Sequence, residues 1–264
     1  MQIDLSGKRA VITGSTGGIG YAIAKGLAAA GASVVVTGRS KERIDQALET
    51  LGRDVENANA TGVAVDLSTA DGCQKLIERV PEADILINNV GIFEAGDFFD
   101  TDDDTWQRFF DTNVMSAVRL SRHYARGMRE RNWGRIQFIS SESALNIPTE
   151  MVHYGMTKSA LQSVSRGLAK VLTGTQVTVN AILPGPTRSE SVNAMIEEQA
   201  REKGVSIEEA EARFIDENRP SSIIHRLADT DEVANLCVYV ASEQASATTG
   251  AALRVEGGIV DTMA

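Results

Sequence analysis

The chain has 264 residues, of which 42% are apolar, 23% charged and only 5% aromatic, a globular composition long enough to bury a sizeable core without disulfides or metals. Twenty-six Lys and Arg stand against 36 Asp and Glu, a formal charge of −10, which argues against general affinity for nucleic acid or anionic membranes and leaves room only for a local basic pocket. Cys73 and Cys237 lie far apart, His123, His153 and His225 have no metal-pair spacing, and no run approaches 18 apolar residues, so no disulfide framework, metal site or membrane span is expected. Met1-Gln2-Ile3-Asp4-Leu5 lacks the apolar core of a secretory signal, which makes the cytoplasm the default address.

Short β-branched runs at 9–13, 33–37, 62–65, 84–88, 135–140, 177–183 and 253–255 read as strands. They are nearly continuous apolar runs rather than alternating ones, as in a parallel sheet covered on both faces. Amphipathic stretches at 19–30, 41–51, 71–79, 102–131 and 153–172 separate them as helices. This rhythm predicts an α/β fold with a doubly wound sheet, and no repeat or linker divides residues 1–264 into more than one domain. Residues 188–228 break the rhythm, being rich in Glu yet helically spaced at Met195, Ile196, Phe214 and Ile215. Ser206 followed by Glu209 has the pattern of a capping box and predicts a helix start. This segment reads either as an ordinary solvated helix pair or as a lid over a site.

Thr13-Gly14-Ser15-Thr16-Gly17-Gly18-Ile19-Gly20 follows the first strand directly and opens the first helix. Glycines there let the backbone turn tightly and approach a pyrophosphate, whose charge the helix N-terminus favours. The second strand ends in Thr37-Gly38-Arg39-Ser40, without the carboxylate that would accept from an adenosine ribose and repel a 2′-phosphate. Arg39 is either a solvated residue opening a helix or a charge-assisted partner for that phosphate, and the second reading favours NADP(H) over NAD(H).

Tyr154 and Lys158 stand at i and i+4 of a helical pattern and share a face. A phenol of pKa about 10 is a poor base at neutral pH. A cation about 4 Å away is worth about 4 kcal/mol at an effective dielectric near 20, which would bring the phenolate within reach. Ser141 lies just past the fifth strand and would converge with Tyr154 at the carboxyl edge of the sheet, where such folds bind ligands; Ser140 competes for the role.

From end to end the chain resembles the classical short-chain dehydrogenase/reductase family. The likeness rests on Thr13-Gly14-x-x-x-Gly18-Ile19-Gly20, Asp66, Asn88-Asn89-Val90-Gly91, Asn113, Ser141, Tyr154-x-x-x-Lys158 and Pro184-Gly185-Pro186-Thr187, in family order. It implies a single Rossmann domain with a seven-stranded parallel sheet and helices on both faces. It also implies that Tyr154 is the general acid/base, that Lys158 lowers its pKa and holds the nicotinamide ribose, and that Ser141 binds the substrate oxygen. Asn113 would hold a water linking Lys158 to solvent. The cofactor would lie on Gly14, Ser15, Thr16, Gly18, Ile19, Gly20, Arg39, Asp66, Leu67, Asn89, Gly91, Tyr154, Lys158, Pro184, Gly185 and Thr187. The activity implied is reversible conversion of a ketone or aldehyde to an alcohol by a homotetramer or homodimer, with no metal. An NAD-dependent alcohol dehydrogenase is the alternative within the family. A non-catalytic nucleotide sensor is disfavoured because all four catalytic positions are kept. The pattern departs from the family at Val90, where alanine is usual, and no basic residue precedes the second motif glycine, so the cofactor preference rests on Arg39. His153 reads as a bystander, and Trp106, Phe109 and Phe110 as core or subunit interface. Glu142 and Glu150 read as solvated loop carboxylates at the substrate mouth, or as groups recognising a cationic or hydroxyl-bearing ligand.

Overall fold

The computed structural model describes residues 2–263. Its centre is a sheet of seven parallel strands, β1 (Arg9–Ile12), β2 (Ser33–Gly38), β3 (Ala60–Ala64), β4 (Ile85–Asn88), β5 (Gly134–Ile139), β6 (Val177–Pro184) and β7 (Ala252–Val255). They lie in the order β3-β2-β1-β4-β5-β6-β7. Ala10 is in register with Val34 on one side and Ile85 on the other. The order reverses between β1 and β4, which opens a crevice at their carboxyl ends.

The uninterrupted apolar runs are explained by two cores. Ile12, Val34, Val36, Ile85 and Ile87 pack on one face with Ile23 and Leu27 of α1 (Gly18–Ala29) and Val233 and Val240 of α9 (Thr230–Ala241). Val11, Val35, Leu86, Ile136 and Phe138 pack on the other, with Leu76 of α3 (Ala70–Arg79), Leu120 and Tyr124 of α5 (Ser116–Glu130) and Leu161 of α6 (Val152–Val171). Successive strand residues point to opposite faces, so both parities are apolar.

Two helices differ from expectation. The stretch read as one helix over 102–131 is α4 (Asp103–Phe110), a π-helical turn over Asp111–Met115, and α5. Apolar spacing does not resolve such a turn, which spans only five residues, and π turns concentrate at functional positions; this one carries Asn113. The second, α9, went unread although a capping box opens it, with Asp229 and Glu232 bonded reciprocally. Helix α2 (Lys41–Asp54) begins at the Ser40 cap.

Residues 188–228 form α7 (Glu190–Lys203) and α8 (Ile207–Asn218), held together by Ile196, Ala200, Ala210, Ile215 and Leu227. Ser206 caps α8 as expected, accepting from the Glu209 N–H at 3.1 Å. The Glu209 carboxylate turns instead to Arg213 at 2.6 Å, so only half of the box forms. Among the described residues no helix is long and apolar enough to cross a membrane, and no group of three or more His, Cys, Asp or Glu is placed to hold a metal.

Candidate active site

The crevice floor is the glycine turn. Gly14 and Gly18 have φ of 62° and 55°, the left-handed region that glycine adopts without strain. A Cβ on Gly20 would collide with the Gly14 carbonyl and stand 2.6 Å from Asn89 Nδ2, so α1 packs on the turn as only glycine allows. The end of β4 stitches the turn shut. Asn89 Nδ2 donates to the carbonyls of Thr13 and Gly14, each at 2.9 Å, and Thr13 Oγ1 accepts from the N–H groups of Asn89 and Val90. Ser15 is fully buried, with its hydroxyl and N–H both engaged by Ile12 and Thr37, so it closes the turn from inside and stands apart from the cleft.

Around this floor, Thr16 lies against Gly38, where a Cβ would meet its Cγ2 at 2.7 Å. Arg39 is exposed, and among the described residues no hydrogen bond or ion pair engages it. Asp66 is exposed, its Oδ1 accepting from Ser68, whereas Leu67 is buried. Gly91 passes over Lys158, a Cβ there standing 3.5 Å from Nζ. Pro184 ends β6, Gly185 lies tight against the backbone of Glu256, and buried Thr187 donates to the Gly185 carbonyl at 2.8 Å.

The reactive cluster sits where β5 meets α6. Ser140 donates to the Lys158 carbonyl at 2.8 Å and is buried, which removes it from competition. Ser141 Oγ accepts from the Ser143 N–H at 3.1 Å and acts on the Tyr154 phenol, whose pKa it lowers. Lys158 is buried, donates to the Ile139 carbonyl at 2.9 Å, and holds Nζ 5.4 Å from the centre of the Tyr154 ring. Asn113 exchanges two amide bonds with Ile92 and donates to Thr157, pinning the loop after β4 to α6.

The electrostatics depart from the expectation of a lowered tyrosine pKa. Burial pushes Tyr154 up to about 12, against the lowering by Ser141; Glu142 adds to the rise and Arg219 opposes it. Burial also pushes Lys158 down to about 8. Desolvation disfavours either charge, and it outweighs the attraction that charge spacing alone suggested. The Tyr154 phenol therefore stays protonated near neutral pH.

Glu142 corrects the reading of a solvated loop carboxylate. It is 2% exposed and its Oε1 accepts from Arg219 Nε at 2.8 Å. Glu150 is exposed. His153 is buried edge-on against fully buried Phe109 at 4.4 Å, with half-buried Trp106 6.0 Å from the same imidazole ring. Sequence reasoning missed Arg219, whose signal was only a cation before Pro220 at a helix end, and the pair of Glu190 with Arg43.

Comparison with known proteins agrees with this geometry. The family model for short chain dehydrogenases matches residues 8–200. An oxidoreductase of Bacillus subtilis (strain 168), YvaG, is 46% identical over 98% of each chain. The 3-oxoacyl-[acyl-carrier-protein] reductase FabG of Aquifex aeolicus is 33% identical over 98% of this chain and 100% of its own. Among solved structures, the L-sorbose reductase of Gluconobacter frateurii, complexed with NADPH and L-sorbose, superposes over 100% of both chains with a TM-score of 0.94 at 34% identity. With its single Rossmann-like sheet and its converging serine, tyrosine and lysine, the chain belongs to the short-chain dehydrogenase/reductase family of nucleotide-dependent oxidoreductases acting on alcohol and carbonyl groups.

Proposed function

We propose that the protein is an NADP(H)-preferring carbonyl reductase, working reversibly on a ketone or aldehyde, with Tyr154 as general acid/base. The observation that carries this reading is the convergence of Ser141, Tyr154 and buried Lys158 at the mouth of the crevice, with Lys158 Nζ 5.4 Å from the centre of the Tyr154 ring. A dinucleotide fits the residues present: Gly14 and Gly18 take the left-handed backbone of a tight turn, Gly20 lets the N-terminus of α1 pack close on it, and Arg39, just past the end of β2, is a cation without a partner among the described residues. When bound, the cofactor supplies or accepts the hydride.

Ser141 then holds the carbonyl oxygen by hydrogen bonding and favours the charge that develops on it. Tyr154 gives its hydroxyl proton to that oxygen, and in the oxidative direction the phenolate takes it back. Lys158, an ammonium below about pH 8, stabilises the phenolate as it forms. Asn113 holds the Ile92 loop against α6, in which Lys158 lies. Gly14, Thr16, Gly18, Ile19 and Gly20 would hold the phosphates, Asp66 and Leu67 the adenine, Asn89 and Gly91 the ribose side, and Pro184, Gly185 and Thr187 the nicotinamide. The preference for the 2′-phosphate belongs to Arg39, supported by the NADPH-bound L-sorbose reductase. Residues 188–228 act as a lid, a reading supported by the seating of Ser189 and Glu190 over Gly18 and Gly17. The family likeness supports a homodimer or homotetramer.

Titration of nicotinamide fluorescence with NADPH and NADH tests the cofactor. A charge-assisted bond to the phosphate is worth about 1.5–3 kcal/mol, roughly ten- to a hundredfold in affinity. NADPH is expected to bind tighter by that margin and to lose it in Arg39→Ala. Tighter NADH would make the enzyme an NAD-linked alcohol dehydrogenase, and binding of neither would make it no dehydrogenase. Tyr154→Phe is expected to abolish turnover of a carbonyl panel while keeping cofactor affinity; full turnover in that variant would refute the assignment.

A further inference from the structure

Directly after Ser141 the chain buries a carboxylate that is only half satisfied. Glu142 Oε1 accepts from Arg219 Nε at 2.8 Å, while Oε2 is sealed from solvent and has no hydrogen-bond partner. Arg219 caps the C-terminus of α8 with its side chain 13% exposed, gives Nη1 to the Asn218 carbonyl at 2.6 Å, and leaves Nη2 without a partner among the described residues. A buried ionic oxygen without a donor is costly, and native structures satisfy nearly all such atoms. This orphan sits on the residue following Ser141, and the charges of Glu142 and Arg219 are both felt at the Tyr154 phenol. The pair also joins the turn after β5 to the end of α8, so it lies between the floor of the site and the helices above it.

We propose that Glu142 and Arg219 are a second polar anchor for the substrate, and that the substrate is a carbonyl compound other than a keto acid, bearing a hydroxyl on the carbon next to its carbonyl. The inference rests on the carbonyl-reducing reading given above. A hydroxyl is both donor and acceptor, so one group satisfies Oε2 and Nη2 together. Glu142 directly follows Ser141 and its charge is felt at Tyr154, so the anchor belongs to the same turn as the hydroxyl that would hold the carbonyl oxygen. Charge narrows the class further. Buried Glu256 adds its negative field at Glu142, so a keto acid would bring its carboxylate to two acids and one guanidinium. A hydroxyl meets no such repulsion.

The test is reduction of a matched pair by the full-length enzyme, with whichever nicotinamide cofactor binds tighter. Hydroxyacetone and 2-butanone differ only in a hydroxyl replacing a methyl. The wild type is expected to favour hydroxyacetone at least about tenfold in kcat/KM. Glu142→Gln, which keeps the shape, and Arg219→Met are each expected to bring that ratio close to one, chiefly through a higher KM for hydroxyacetone. A ratio near one in the wild type overturns the anchor, and so does an equal loss on both ketones in the variants, which marks the pair as a latch between α8 and the floor. Should Arg219→Met fail to fold, Glu142→Gln with its thermal melt decides alone. Reduction of plain ketones or keto acids but of no hydroxy ketone overturns the anchor and leaves the carbonyl reading standing; reduction of no carbonyl overturns both.

Discussion

Removing the charge of Glu190 is expected to tighten the binding of NADPH. Glu190 opens α7, and its Oε1 lies 2.7 Å from the place a Cβ on Gly17 would occupy, while Oε2 pairs with Arg43 Nη2 at 2.8 Å. A carboxylate of the chain thus covers the positive end of α1, where a dinucleotide phosphate would bind. Its hold is modest. The side chains of Arg43 and Glu190 are 58% and 70% exposed, so their pairing is worth about 0–1 kcal/mol, and the helix end adds about 0.3–1 kcal/mol. Phosphate must displace both contacts. Glu190→Gln therefore relieves about 1 kcal/mol of competition, roughly a fivefold lower Kd for NADPH. Fluorescence titration at low ionic strength reads this directly, and the gain should shrink in high salt, which screens exposed charges. An unchanged or higher Kd at low salt would show that the carboxylate does not compete for the phosphate site.

Further outcomes follow from the geometry. Lys158 keeps its proton to about 10.5 in the unfolded chain but only to about 8 when folded, so the unfolded state binds more protons between those values; stability should rise with pH there, and Lys158→Met should flatten the rise in urea melts taken from pH 7 to 10. The reductive rate should fall above about pH 8 as the ammonium is lost. Gly20→Ala should lower the melting temperature and weaken nucleotide binding more than tenfold, because its Cβ meets backbone, whereas Gly52→Ala in open space on α2 should stabilise by about 0.5–1 kcal/mol. Phe109→Ala empties a fully buried site against His153 and should cost about 3–5 kcal/mol in chemical denaturation, and a loss under 1 kcal/mol would refute its placement in the core.

What the sequence determined by itself were the features written in short-range periodicity and neighbour chemistry. Unbroken apolar strands between amphipathic helices required a two-faced parallel sheet, the glycine run after β1 required a tight turn into α1, and the i, i+4 spacing put Tyr154 and Lys158 on one helix face. Periodicity could not show the π turn at Asn113, because it spans only five residues inside a longer helical run. Neither could it choose between Ser140 and Ser141, which differ only in what lies opposite them: the Lys158 carbonyl for one, Tyr154 for the other. The charges were least legible of all. Glu142 and Arg219 are 77 positions apart and Arg43 and Glu190 are 147 apart. Burial and partnership set what a carboxylate does, and both arise only when the folded chain brings distant segments together.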